Sequence, residues 1–163
     1  MDEFERAYNR SLRFLSFRPR SEKEILDYLK KKKTTSTTIT KVMDKLKSIN
    51  LVNDEEFVKW WIEQRTSFKQ RGMRVIKMEL KQKGIGEETI DAIIHNANFT
   101  IQNETELAKK ALEKKMKAWG KFTKEVFREK AVAFLLRRGF DYEMAKVAIN
   151  GVLEYNKDRR HEE

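Results

Sequence analysis

The chain has 163 residues and sets 36 Lys+Arg against 26 Asp+Glu, for a formal net charge of +10. Hydrophobic residues make up 39% and charged residues 38%, with 10 Phe and 3 Trp, which predicts a folded body with a highly charged surface and not a disordered chain. With only 6 Gly and 1 Pro an all-β fold is disfavoured, and the absence of Cys excludes a disulfide framework, a thiolate metal site and cysteine catalysis.

A first helix is predicted through Tyr8, Leu12 and Leu15, whose spacing makes one apolar stripe. Pro19 stops it, and Ser21 with Glu24 reads as a capping box that opens a second helix through Ile25 and Leu29 into Lys30-Lys31-Lys32-Lys33. Residues 33–38 form the least regular connection before a third helix on Ile39 and Met43. Asn53 with Glu56 then opens a helix bearing Phe57, Trp60, Trp61 and Phe68. These aromatics are expected to fill a core, although an aromatic between cations is also what a single-strand binder stacks on bases. The next helix carries Met73, Ile76 and Leu80 and ends at Gly84, where a left-handed residue is needed; a helix on Ile90 and Ile94 comes after it. Beyond a connection around Asn96, Asn98 and Asn103 come a helix with Leu107, Ala111 and Leu112 and one through Ala131 and Leu135 that ends at Gly139. A last helix, on Ala145 and Ile149, opens after Asp141.

The same pattern recurs. Leu29, Leu80 and Leu135 stand 51 and 55 residues apart; Ile39, Ile90 and Ala145 follow each by ten, and Met43, Ile94 and Ile149 by four more. The expected fold is therefore all-α: three tandem three-helix, helix-turn-helix-like repeats over residues 1–53, 54–103 and 104–163, the last with a short charged tail. A unit of this size buries little alone, and the connections are short, so the repeats are expected to pack into an elongated, curved array.

The charge is segregated. Residues 65–83 contain seven basic residues and one acid, Glu79, whereas acids gather at residues 54–56 and at Glu87, Glu88 and Asp91. On the helix from Met73 to Lys83, Arg74, Lys77 and Lys81 form a stripe beside the apolar one, able to track phosphates or carboxylates. The corresponding residues elsewhere are Leu26 and Val132 for Lys77, and Lys30 and Leu136 for Lys81. Any one basic run, Arg137-Arg138 or the four lysines included, is equally a solvated helix end that complements the dipole, so the argument rests on the excess and its segregation.

Groups that could perform chemistry are few. His95 and His161 are the only histidines, and Lys83-Gly84-Ile85-Gly86 is too short for a phosphate loop. Glu55 with Glu56, and Glu87 with Glu88, diverge by about 100° on a helix and are better read as first-turn acids. Neither catalysis nor a metal or cofactor is expected. The acidic start Met1-Asp2-Glu3-Phe4-Glu5 and the absence of a long apolar run predict a soluble cytoplasmic protein without membrane association, and the absence of a long heptad predicts a monomer.

Several stretches resemble the RecX regulators of the RecA recombinase: Arg18-Pro19-Arg20-Ser21-Glu22-Lys23-Glu24-Ile25 followed by Leu29; Leu51-Val52-Asn53-Asp54-Glu55-Glu56-Phe57 followed by Trp60-Trp61 and Arg65; and Gly72 through Ile76 into Glu79-Leu80-Lys81-Gln82-Lys83-Gly84-Ile85. A weaker match is Leu135-Leu136-Arg137-Arg138-Gly139-Phe140. The resemblance implies three tandem three-helix repeats that lie in the groove of the RecA filament on single-stranded DNA and restrain filament growth, ATP turnover and strand exchange without catalysing a reaction. Carried onto matching positions, it makes Arg20, Arg65, Arg74, Lys77 and Lys81 contact candidates; Arg71, Lys83, Arg137 and Arg138 join them from the adjoining basic runs. The first repeat departs from the pattern, carrying Lys32-Lys33-Thr34-Thr35 where the others have a Gly-led end.

The alternative is a helical architectural or transcriptional protein that binds DNA directly, because such trihelical units can place a helix in the major groove. That reading predicts steep salt dependence on bare duplex. A filament regulator would instead prefer the nucleoprotein complex.

Overall fold

The computed structural model describes residues 1–97 and 101–159, with the side chains of 103–159 in the second stretch. Asn98, His161 and the end of the charged tail lie outside the described residues. Among the described residues there are nine α-helices and no strand: α1 (Glu3–Phe17), α2 (Glu22–Lys31), α3 (Ser36–Ser48), α4 (Asp54–Glu63), α5 (Met73–Gln82), α6 (Glu87–Asn96), α7 (Ile101–Trp119), α8 (Lys124–Arg137) and α9 (Tyr142–Arg159), with a π-helical turn over Gln64–Phe68.

The helix starts follow the local sequence. Ser21 and Glu24 form the capping box reciprocally, Ser21 N–H donating to Glu24 at 2.9 Å and Glu24 N–H to Ser21 at 3.2 Å. Asn53 caps α4 by accepting from Glu56 N–H at 3.1 Å, and Asp141 caps α9 by accepting from Met144 N–H at 2.8 Å. A second capping box, Asp2 with Glu5, opens α1.

The middle helix of each repeat ends in one and the same turn. Ile85 N–H donates to the Leu80 carbonyl and Phe140 N–H to Leu135, each at 3.1 Å, around Gly84 (φ 82°) and Gly139 (φ 98°). This is the glycine-closed helix end in which a left-handed residue lets orphan carbonyls find donors. The departure in the first repeat makes no difference to the geometry. Thr34 N–H donates to Leu29 at 3.1 Å, and Lys33 itself takes the left-handed conformation, φ 58°. All three anchoring leucines are fully buried.

The chain forms two compact units. One comprises Met1–Trp61 and Glu79–Ile93, the other Ile62–Met78 and the described residues from Ile94 onward. In the first, Ala7, Ile25, Leu29, Ile39, Val42, Met43, Leu46 and Val52 make a core lined by half-buried Tyr8, Leu12 and Leu15. In the second, Ala108, Ala111 and Leu112 of α7 pack with Phe127, Ala131 and Leu135 of α8 and Ala145, Ala148 and Ile149 of α9.

Two expectations fail here: Asn96 and Asn103, read as part of a connection, lie within α6 and α7, and Phe68 leaves the core. Helical spacing puts Phe68 on the apolar face with Phe57, Trp60 and Trp61, but Phe68 is 67% exposed. The π-helical turn inserts an extra residue after α4 and rotates the succeeding positions by about 100°, so Phe68 leaves the core side. Thr66 supports the wider turn by donating to the Ile62 carbonyl at 2.8 Å.

Candidate functional site

Three of the sequence candidates lie in the first compact unit. The Arg20 guanidinium sits 3.9 Å from the Phe14 ring centroid and its Nε donates to the Phe14 carbonyl at 3.3 Å. Burial, with Arg18 nearby, lowers its pKa, though an arginine stays charged at any working pH. Lys83 donates to Glu24 at 3.0 Å and stands 5.3 Å from the Trp61 ring centroid. Arg18 holds the same carboxylate and lies over the same indole at 5.8 Å. Burial pulls Glu24 upward, but hydrogen bonds from Arg18, Ser21 N–H and Lys83 outweigh it and leave the carboxyl below its usual value. Lys83 is thus committed to an internal ion pair. Lys81 makes an exposed pair with Glu87 at 3.0 Å, of the kind that contributes little to stability and exchanges readily for another anion.

The remaining six lie in the second unit. Arg74 is exposed and anchored, its Nη2 donating to the Leu136 carbonyl at 2.6 Å. Lys77 is half-buried and close enough to Glu104 to oppose in part the rise that burial gives that carboxyl's pKa. The Arg65 carbonyl accepts from Arg71 N–H at 2.9 Å, closing the turn that carries Phe68. Arg137 is exposed; Arg138 is half-buried with its guanidinium 4.9 Å from the Phe134 ring centroid.

Four of these arginines converge because two glycines let the backbone close up. Gly72 N–H donates to the Arg138 carbonyl at 2.7 Å and Arg74 N–H to the Gly139 carbonyl at 3.3 Å. The start of α5 and the end of α8 therefore touch backbone to backbone, and Arg71, Arg74, Arg137 and Arg138 radiate from that junction. Glu104 supports it from α7 by accepting from Met73 N–H at 2.7 Å, a capping bond across 31 residues of sequence. Burial raises the Glu104 pKa, against the opposing effects of that hydrogen bond and Lys77.

The expected stripe of Arg74, Lys77 and Lys81 is therefore not a uniform row of solvated cations. Arg74 and Lys81 each have a partner within the protein, and among the described residues the buried side-chain nitrogens left without a hydrogen bond are the Nε atoms of Arg71 and Arg138. Among the described residues no cluster of three or more His, Asp or Glu is arranged to hold a metal, and no helix is long and apolar enough to cross a membrane.

Models of the first, second and third RecX three-helix domains match residues 7–46, 53–94 and 102–149. The chain belongs to the RecX family. The proteins named Regulatory protein RecX from Bacillus subtilis strain 168 and Streptococcus agalactiae serotype III are 33% and 35% identical to it, over 96% and 95% of this chain. The chain spans 58% of the length of each of these curated relatives. The crystal structure of RecX from Lactobacillus salivarius shares the fold, with a TM-score of 0.79 at 24% identity over 93% of this chain and 97% of that one. A second structure, titled regulatory protein RecX, gives 0.76 at 27% identity over 91% of this chain and 72% of that one.

Proposed function

We propose that this protein is a non-catalytic regulator that binds the RecA filament on single-stranded DNA and restrains filament extension, ATP hydrolysis and strand exchange. The observation that carries the reading is the succession of all three RecX three-helix domains along one chain. On this reading the functional repeats are residues 1–53, 54–103 and 104–163, and the protein acts in the cytoplasm as a monomer.

The electrostatics support it. A net charge of +10 with segregated cations suits a partner that presents both phosphates and acidic protein surface. Arg74, Lys81 and Arg137 are exposed, while Arg65, Arg71, Lys77 and Arg138 are half-buried. Arg20 and Lys83 contribute mainly by shaping the first unit.

RecA-dependent ATP hydrolysis on single-stranded DNA, measured while the protein is titrated well below the recombinase concentration, tests the reading. Substoichiometric inhibition is expected, and reversing Arg74, Lys77 and Lys81 to Glu should weaken it without loss of helical content. No effect at stoichiometric amounts, together with tight and salt-sensitive binding to bare duplex, would replace it with the architectural DNA-binding function.

A further inference from the structure

Arg71 and Arg138 flank the junction of Gly72 with Gly139, and among the described residues no carboxylate answers their charge, although the Arg138 guanidinium lies over the Phe134 ring. Both side chains are half-buried, and the Nε atom of each is shut off from solvent without a hydrogen-bond partner. Among the described residues neither guanidinium pairs with a carboxylate. The nearby acids are committed elsewhere: Glu104 accepts from Met73 N–H at the start of α5, and Asp141 accepts from Met144 N–H at the start of α9. Burial, reinforced by the positive charge of Arg71, depresses the Arg138 pKa. Two partly desolvated like charges cost free energy in the isolated protein, and such a cost is recovered when an anion enters.

The chemistry of the pair selects the anion. A carboxylate presents its two oxygens in one plane, whereas the tetrahedral phosphodiester presents oxygens to two forks that approach from different sides. A second feature points to nucleic acid. Phe68, on the turn closed by the Arg71 N–H to Arg65 carbonyl bond, is 67% exposed and supplies an aromatic face three residues from the clamp.

We propose that Arg71 and Arg138 clamp one phosphodiester of single-stranded DNA while Phe68 stacks on an adjoining base. The proposal rests on the regulatory function proposed for the whole chain and names the group on the filament that this unit grips.

The test is fluorescence anisotropy of a labelled oligo(dT) with the full chain, without recombinase, over a series of salt concentrations. The variant R71Q/R138Q should bind about tenfold more weakly, and its plot of log affinity against log salt should flatten by about 0.7, the slope carried by one phosphate of a single strand. Phe68→Ala should weaken binding about fivefold. R71K/R138K, which keeps the charge but not the forks, should retain the salt slope and recover part of the affinity. The melting temperature of R71Q/R138Q should not fall, because the substitutions relieve like-charge repulsion. Wild-type affinity in R71Q/R138Q or in Phe68→Ala would overturn the proposal, as would a lowered melting temperature with no recovery in the lysine variant. Parallel ATPase assays separate the two readings. If R71Q/R138Q binds oligo(dT) normally yet no longer inhibits RecA, the pair faces protein, so the clamp fails and the regulatory reading stands. If the wild type leaves RecA unaffected, the regulatory reading fails, while the anisotropy still decides the clamp.

Discussion

Gly72 packs directly on Gly139: a Cβ built on Gly72 would lie 2.2 Å from the Gly139 carbonyl carbon and 2.4 Å from its oxygen. Neither atom belongs to a flexible side chain, so backbone must move to admit a methyl group. Gly72→Ala should cost about 3 kcal/mol, read as a shift in the urea midpoint at unchanged slope. It should also weaken binding to single-stranded DNA, because the same close approach positions Arg71 and Arg138.

Lys33 occupies a left-handed conformation that its glycine counterparts adopt without steric cost. Lys33→Gly should stabilise the protein by about 0.5–1 kcal/mol, the relief of Cβ strain exceeding the added chain entropy of the unfolded state. Thermal unfolding checks the sign. The opposite exchange, Gly84→Ala, should destabilise, since its φ is 82° and a Cβ there would lie 2.7 Å from the Cβ of Lys23.

Glu104 caps α5 from another helix while 8% exposed. Glu104→Ala leaves the Met73 N–H without its acceptor and should cost about 2 kcal/mol. Glu104→Gln keeps an acceptor oxygen and removes the buried charge. Because burial raises this carboxyl's folded pKa, the folded state holds the proton more tightly than the unfolded state. The resulting stability is present below the unfolded value and is lost as pH rises through the folded value. The glutamine variant should therefore gain on the wild type as pH rises, which chemical denaturation at about pH 4 and about pH 7 would reveal.

Glu3 ties the start of α1 to the start of α3, accepting from Thr35 N–H at 2.9 Å and from the Thr35 and Thr38 hydroxyls at 2.7 and 2.6 Å. The Thr38 hydroxyl, the Thr35 N–H and the Thr35 hydroxyl hold its pKa at about 2 against an ordinary 4.5. A depressed carboxyl contributes stability above its unfolded pKa and loses it as pH falls toward the folded one. The stability difference between wild type and Glu3→Gln should be constant above about pH 5 and vanish between pH 4.5 and about 2. A difference that persisted at the acid end of that window would show that the carboxylate is not the group responsible.

Periodicity and helix punctuation make the helical repeat legible. Leu29, Leu80 and Leu135 recur because each is the buried residue whose carbonyl closes its helix, and a left-handed residue four positions later is demanded locally wherever the helix must stop. Even the irregular first repeat obeys the rule, with lysine accepting a conformation that composition would assign to glycine. Phe68 escapes the pattern for an equally physical reason. Helical spacing assumes 3.6 residues per turn, and the π-helical turn at Gln64–Phe68 breaks that count without a marker in the sequence.

Local sequence set the nine helices of the described residues, their capped starts and the left-handed ends at Lys33, Gly84 and Gly139, though not the π-helical exit from α4, and it set the excess positive charge, because these depend on neighbours a few positions apart. Which cations have partners inside the protein depends instead on long-range packing. Lys83 is bound to Glu24 across 59 residues, Arg74 is tied to a carbonyl 62 residues away, and Arg71 and Arg138 flank one backbone junction with buried Nε atoms unpartnered. The pairing of a charge is set by what the folded chain brings within hydrogen-bond reach, and sequence spacing carries no record of that distance.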